Sequence, residues 1–412
     1  MTKSRQVPLL FIYLLNGHFS SHARLFHFPS SVMKRELTKE LEPKPKRSRT
    51  DLNRNSYTAD WLLDRWLQVP SIPDPILESI EPSDHPHCAD LDSMDTPSGS
   101  PSRASRGTSR ITTSCPKYRD TLMKNGVIID NIGTKMPAAV HELVAAYVLK
   151  GRLSPPLEKD TKSSILQRIQ RVWSQGESSV HRIVNEPRLF PIHDIVGIAE
   201  GSDAIWSVDA LPHREDWTGD LIRPKTDRHF GFPPLLESTW DKAELIAAEH
   251  PLVQPYAQAT RENLFPSFLI EVKAEATGGT LYAAENQLAG AGAHRVNSLL
   301  RILDQIDPNR PRCSSDSLVF SVAVSQRQAD AYVHYYNPED DLFYMSGIDT
   351  FPFLKDIQGC HNFVKNAVDW LLDIQQPIVR AALQKLHPMT RVWDSEARTN
   401  DGRRDGREYV SS

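Results

Sequence analysis

The run Phe268-Leu269-Ile270-Glu271-Val272-Lys273-Ala274-Glu275 sets two carboxylates and an ammonium into an otherwise apolar stretch. On a strand alternate residues share a face, so Ile270 and Val272 point one way while Glu271, Lys273 and Glu275 point the other. Glu beside Lys in such a strand is costly unless the two are paired, solvated or used. A further carboxylate, Asp227, stands in the turn-to-strand segment Arg223-Pro224-Lys225-Thr226-Asp227-Arg228-His229-Phe230-Gly231-Phe232. Two carboxylates can hold a hard cation such as magnesium through oxygen ligands and leave positions for water and a phosphate oxygen. A neighbouring lysine then orients or activates the water and neutralises phosphate charge. The chemistry these residue types point to is metal-assisted cleavage of a phosphodiester. The competing reading of the same letters is a salt-bridged strand face with a turn-capping aspartate.

Other clusters carry less. Asp84, His85, His87 and Cys88 are metal-ligand types, but they lie in a polar linker with no second matching pair, so no structural metal is expected there. His334, between Tyr332 and Tyr336 in an alternating run, reads as a packed strand residue rather than a catalytic base. The phosphate loop Gly-x-x-x-x-Gly-Lys-Ser/Thr, the Gly-x-Ser-x-Gly elbow and His-Glu-x-x-His are all absent from the sequence, which disfavours P-loop hydrolases, serine hydrolases and zincins.

The elements that would position Asp227, Glu271 and Lys273 can be read from periodicity. Helical spacing marks 137–149 (Val140, Leu143, Val144, Val148) and 161–173 (Ile165, Ile169, Val172), and a third helix starts near Gly176. Strand-like runs cover 267–275, 317–325, 328–336 and 342–348. Between the first two lies a helical stretch over 282–306, rich in small residues at first and then carrying an apolar stripe at Val296, Leu299, Leu300 and Leu303. A last helical block, 359–386, is interrupted by Pro377, which should kink or divide it. Helices alternating with strands argue for one α/β or α+β domain with helices packed on a central sheet, spanning 115–388. Outside it, 1–55 reads as a disordered basic tail, 56–67 as a short amphipathic helix, 68–114 as a disordered Pro- and Ser-rich linker and 389–412 as a disordered tail.

Bulk properties narrow the partners. The 412 residues hold 48 Lys plus Arg against 52 Asp plus Glu, so a net charge of −4 gives no overall pull towards nucleic acid or acidic membranes, and any such binding must be local. Arg223, Lys225, Arg228 and Arg261 are the candidates for a local groove. The four cysteines, 88, 115, 313 and 360, make neither a disulfide scaffold nor a C-x-x-C knuckle. The longest apolar run, Val7 to Leu15, is broken by Pro8 and is far from the roughly 20 residues a membrane helix needs. The basic cluster over 44–49 favours the nucleus; the alternatives are the cytoplasm, or secretion if 1–23 acts as a signal peptide.

The run through Ile270-Glu271-Val272-Lys273, continued by Gly278-Gly279-Thr280-Leu281-Tyr282-Ala283-Ala284-Glu285-Asn286-Gln287, resembles the PD-(D/E)XK nuclease-like domains of many uncharacterised fungal proteins. So do the Tyr332-Val333-His334-Tyr335-Tyr336 strand and the segment Phe353-Leu354 with Asp356-Ile357. This resemblance implies a restriction-endonuclease-like core over 115–388: a central mixed sheet flanked by helices, ordered as a helix, a three-stranded antiparallel unit, a helix and a further strand. It implies nuclease activity on nucleic acid with magnesium or manganese as cofactor. Asp227 and Glu271 would hold the metal, Lys273 would act on water and phosphate, and Glu285 or Gln287 would supply a polar residue from the following helix, Gln287 being preferred. Many members add a glutamate from the first core helix; Glu177 and Glu186 are the candidates, and Glu177 is preferred because Pro187 should end the helix at Glu186. Two departures stand out: the Pro-Asp pair is here Thr226-Asp227, and the tyrosine that follows the glutamine in RecB-like members is here Ala291. The alternative is a nuclease fold kept as a catalytically inactive binding or scaffolding module.

Overall fold

Runs of β-branched and aromatic residues form strands that associate through their backbones. In the computed structural model, which describes residues 112–405 except 194, 218 and 236–239 and side chains as far as 395, these strands build one mixed sheet. The strands are β1 (Val127–Asp130), β2 (Ala199–Gly201), β3 (Arg228–Phe232), β4 (Leu264–Val272), β5 (Val319–Val324), β6 (Gln328–Asn337) and β7 (Leu342–Pro352). Their order is β1-β7-β6-β5-β4-β3-β2. β2, β3 and β4 run antiparallel, β4 and β5 are parallel, β5, β6 and β7 are antiparallel, and β1 joins β7 in parallel. The segments 1–55 and 56–67, and 68–114 as far as residue 111, lie outside the described residues.

The helices are α1 (Tyr118–Lys124), α2 (Ala138–Leu143), α3 (Lys159–Val172), α4 (Glu177–Val184), α5 (Lys242–Glu249), α6 (Gln254–Ala257), α7 (Leu281–Ile306), α8 (Phe353–Trp370) and α9 (Gln376–Asp405). The period of two along β4 decides which of them each residue meets. Phe268, Ile270 and Val272 enter a large core with Ile165 of α3, Val180 of α4 and Phe363 of α8. Leu269 enters the opposite core, where Ala284, Leu288 and Leu300 of α7 meet Tyr118 of α1. Every residue of β4 and β5 is buried, as central strands covered on both faces require. The small residues of α7 include one obligatory glycine: a Cβ on Gly292 would lie 2.0 Å from Nδ1 of His334.

Pro377 falls in the first turn of α9, directly after a single π turn (Leu371–Gln375) that joins α8 to α9, so the helix divides there through a wider turn and continues. One boundary needs correction. The tail expected to be disordered from 389 is helical to Asp405, because α9 continues through Pro388 and its far side packs. Met389 and Trp393 lie against the main core, and the Trp393 ring stands 5.2 Å from that of His250. Burial thereby offsets the helix-breaking tendency of Pro388.

α9 is tied to α5 by a buried carboxylate. Glu244 accepts from Arg380 Nε at 2.9 Å and from Gln384 Nε2 at 2.8 Å, and its side chain also closes a capping box with Asp241. Glu244→Ala should lower the unfolding free energy by about 2–4 kcal/mol in urea melts, since it strands the partners of a buried group. An unchanged midpoint would show that α9 does not depend on this tie.

Candidate active site

β3 and β4 pair with Arg228 opposite Ile270, which brings the residue before β3 against the end of β4. There Asp227 and Glu271 interlock. The backbone N–H of Val272 donates to Oδ2 of Asp227 at 2.6 Å, and the N–H of Asp227 donates to Oε2 of Glu271 at 3.2 Å. The Lys273 ammonium donates to Oε1 of Glu271 at 2.8 Å. The three side chains expected from the sequence therefore meet at one place, although 44 residues separate Asp227 from Glu271.

Their charges are perturbed as the surroundings dictate. Glu271 is fully buried, and desolvation together with the neighbouring Asp227 charge pushes its carboxyl up to about 8, against the pull of Lys273. Burial works against the Lys273 ammonium, but Glu271, Asp227 and Glu177 outweigh it and raise its pKa above the ordinary lysine value. Lys273 is thus a fixed positive charge.

A second group closes on Asp227 from the other side. Gly176 caps α4 in an extended conformation, which puts Glu177 at the first helical position and His181 one turn further along the same face. Glu177, His181 and Asp227 each offer a ligand atom, and these atoms lie within 4.8 Å of one another. The start of α4 is held in place by Gln326, just past β5: its Nε2 donates to the Gln175 carbonyl at 3.1 Å and its Oε1 accepts from the Glu275 N–H at 3.0 Å. Gln326 is almost completely buried, so it locks the approach of α4 to the end of β4.

The other sequence candidates lie elsewhere or are otherwise occupied. Glu186 pairs with Arg168 and receives the Arg188 N–H. Glu285 pairs with Arg119 and accepts from the Tyr332 hydroxyl at 3.1 Å. Gln287, half-buried on α7, has no hydrogen bond to Asp227, Glu271 or Lys273 among the described residues. Three of the four residues read as a basic groove are engaged internally. Arg223 donates to the Trp206 carbonyl, Lys225 pairs with Asp203 at 3.4 Å and Arg228 pairs with Glu200; Arg261 is exposed. His334 is buried, as its alternating context suggests, and shares a 2.7 Å hydrogen bond with Ser321.

Sequence reasoning missed His181 and Gln326. His181 carried a usable signal, its position four residues after Glu177; Gln326 carried none, because its role comes from joining two distant loops. Oxygen donors from Asp227 and Glu177 suit a hard divalent cation, and the His181 nitrogen widens the choice towards manganese. Glu271 is the less direct donor, since both its oxygens already accept hydrogen bonds, although each keeps a spare lone pair.

No helix among the described residues is long and apolar enough to cross a membrane. No curated protein matches the sequence. Residues 158–383, which run from the start of α3 into α9 and include the whole Asp227 cluster, match the family described as a domain of unknown function, DUF7924. With more than half of its 412 residues in that match, the chain belongs to the DUF7924 family.

Proposed function

We propose that this domain is a divalent-cation-dependent phosphodiesterase acting on nucleic acid, of the PD-(D/E)XK type. The observation that carries the reading is the interlock of Asp227 and Glu271 with Lys273 at 2.8 Å, completed by the exposed Glu177 and by His181 at the end of inner strands β3 and β4. The order of elements supports it too. Helix α4, antiparallel β2-β3-β4, helix α7 and then β5 parallel to β4 is the succession of a restriction-endonuclease-like core.

In this reading Asp227, Glu177 and His181 would hold magnesium or manganese, with Glu271 behind them. The ion when bound supplies Lewis-acid polarisation of the phosphate and a more acidic water. Lys273, held protonated by its acidic neighbours, orients the attacking water and offsets phosphate charge rather than removing a proton. Glu271 fixes the Lys273 ammonium and, through the Asp227 N–H, the placement of the Asp227 carboxylate.

A second reading, an inactive nucleic-acid or protein-binding module, is favoured by the engagement of Arg223, Lys225 and Arg228 with partners inside the protein, which leaves fewer cations on that flank for a phosphate backbone. Incubation of the protein with mixed single- and double-stranded DNA and RNA, with EDTA, magnesium or manganese, separates the two. Cleavage that needs the cation and is lost in Lys273→Ala supports the enzyme; binding without cleavage under every cation supports the module.

A further inference from the structure

At the end of the sheet away from Asp227, the α1–β1 turn, the loop at Pro212, α7, Arg312 and the β6–β7 hairpin enclose a polar cavity of about 200 Å³. β4 and β5 bring the Asp227 cluster to the Ala329 end of β6, whereas Tyr336 lines the cavity seven residues on. At about 3.3 Å per residue the two places are roughly 23 Å apart, so the cavity belongs to a different site.

The lining carries three guanidinium groups, Arg214, Arg301 and Arg312, and among the lining residues Asp341 is their only carboxylate. Arg312 is preset by Asp304 at 2.6 Å and by the Tyr336 ring at 5.3 Å. Arg214 has only the exposed Asp216, at 3.3 Å, and Arg301 has neither an ion pair nor a hydrogen bond among the described residues. Asp341 is engaged, accepting from the Tyr336 hydroxyl at 2.6 Å. The cavity thus presents planar guanidinium donors suited to phosphate oxygens, with the exposed Arg301 unengaged and Arg214, also exposed, held only by an exposed aspartate.

A second observation defines the ligand further. Asn125, which lines the cavity, is 1% exposed, and its Nδ2 donates to the carbonyls of Thr121 and Gly219, both at 2.9 Å. Those two bonds fix the amide orientation and leave Oδ1 buried without a partner. An unmatched acceptor beside a cationic wall calls for a ligand that brings its own donor as well as negative charge.

We infer that this cavity binds a phosphomonoester carrying a hydroxyl donor, the chemistry of a nucleotide's sugar phosphate, either as a free nucleotide or as the phosphorylated end of a strand. Its volume accepts a phosphate and a sugar, not a whole drug-sized ligand, so the base remains outside. The assignment is independent of the catalytic reading.

Calorimetric titration of the full chain in EDTA with AMP, adenosine, inorganic phosphate, and an oligonucleotide with and without a terminal phosphate tests it. AMP is expected to bind, phosphate to bind more weakly and adenosine not to bind. Arg301→Gln should weaken AMP by about ten-fold or more, the loss of one charge-assisted phosphate contact. Arg301 supports nothing internally, so the variant should melt like the parent; if it does not, Arg214→Gln provides the same reading. Glu271→Gln should leave AMP binding unchanged. A phosphorylated strand that binds ten-fold tighter than AMP assigns the strand end, and equal or weaker binding assigns the free nucleotide. Failure of AMP, phosphate and the phosphorylated strand to bind at millimolar concentration, or binding indifferent to both arginine substitutions, overturns the proposal.

Discussion

Glu271→Gln is expected to lose divalent-dependent cleavage by about a hundred-fold or more, and to gain stability relative to the parent chain as the pH rises. Both effects come from one buried carboxyl. Folding raises its pKa from 4.5 to about 8 through burial and the Asp227 charge, so the folded chain holds a proton that the unfolded chain has released. Stability from this group is complete below the unfolded value and is lost as pH climbs through the folded one. Glutamine has no proton to lose, although its amide nitrogen must face one of the two donors to Glu271, the Asp227 N–H or the Lys273 ammonium, which sets a constant cost at every pH. In EDTA, the stability of the variant should therefore rise relative to that of the parent from about pH 5 up to about pH 8, by on the order of a few kcal/mol, with no further change above. Urea melts across that range check the sign; a constant difference would mean that Glu271 is ionised throughout. The cleavage assay is separate, because a bound cation would draw the proton off Glu271 and so gain a negative charge that glutamine cannot supply. A variant that cleaves at the parent rate would remove Glu271 from the chemistry.

The second large effect lies on the acid side. His229, His294 and His334 are buried, and desolvation, ahead of every other cause, drives their pKa values down to about 4, 3 and 3. Each is a neutral imidazole in the fold that takes up a proton near 6.5 once unfolded. Stability from such groups is present above the unfolded value and drains away as pH falls towards the folded one, at about 1.4 kcal/mol per pH unit for each histidine. Three together remove about 4 kcal/mol per unit between roughly pH 6 and 4, which can consume the whole stability of an ordinary domain. Glu271 gives some of this back down to about pH 4.5, whereas His193, whose pairing with Glu200 raises its pKa, changes the stability only above about pH 6.5, before the acid limb begins. The chain should be most stable near neutrality and unfold cooperatively on mild acidification. His334→Phe keeps a ring against Gly292 and should reduce the steepness of the acid limb by one proton. A parent protein as stable at pH 4 as at pH 7 would contradict the argument.

Much of this layout was legible from spacing because it is local. The Ile270/Val272 against Glu271/Lys273 alternation follows from strand geometry alone, and β4 realises it with Ile270 and Val272 in one core and Leu269 in the other. The starts of α3, α4 and α7 fall within two residues of the expected places, since apolar periodicity and capping are written in neighbouring letters. The end of α9 was not legible: Pro388 and a polar tail argue for a stop, and only contact with His250 and the main core overrides them.

By itself, then, the sequence determined the residue types at the candidate site, the α/β class and the faces of the central strands, because each depends on the chemistry and periodicity of short segments. Tertiary structure alone decided which cations remain free and which acids converge. Arg223, Lys225 and Arg228 look available in the sequence but are engaged by Trp206, Asp203 and Glu200. His181 shows there only its spacing from Glu177, and Gln326 shows nothing, but they meet Asp227 and the end of β4. The physical reason is that pairing and convergence depend on distances in space between segments far apart along the chain, and periodicity along one segment carries no information about its distant partners.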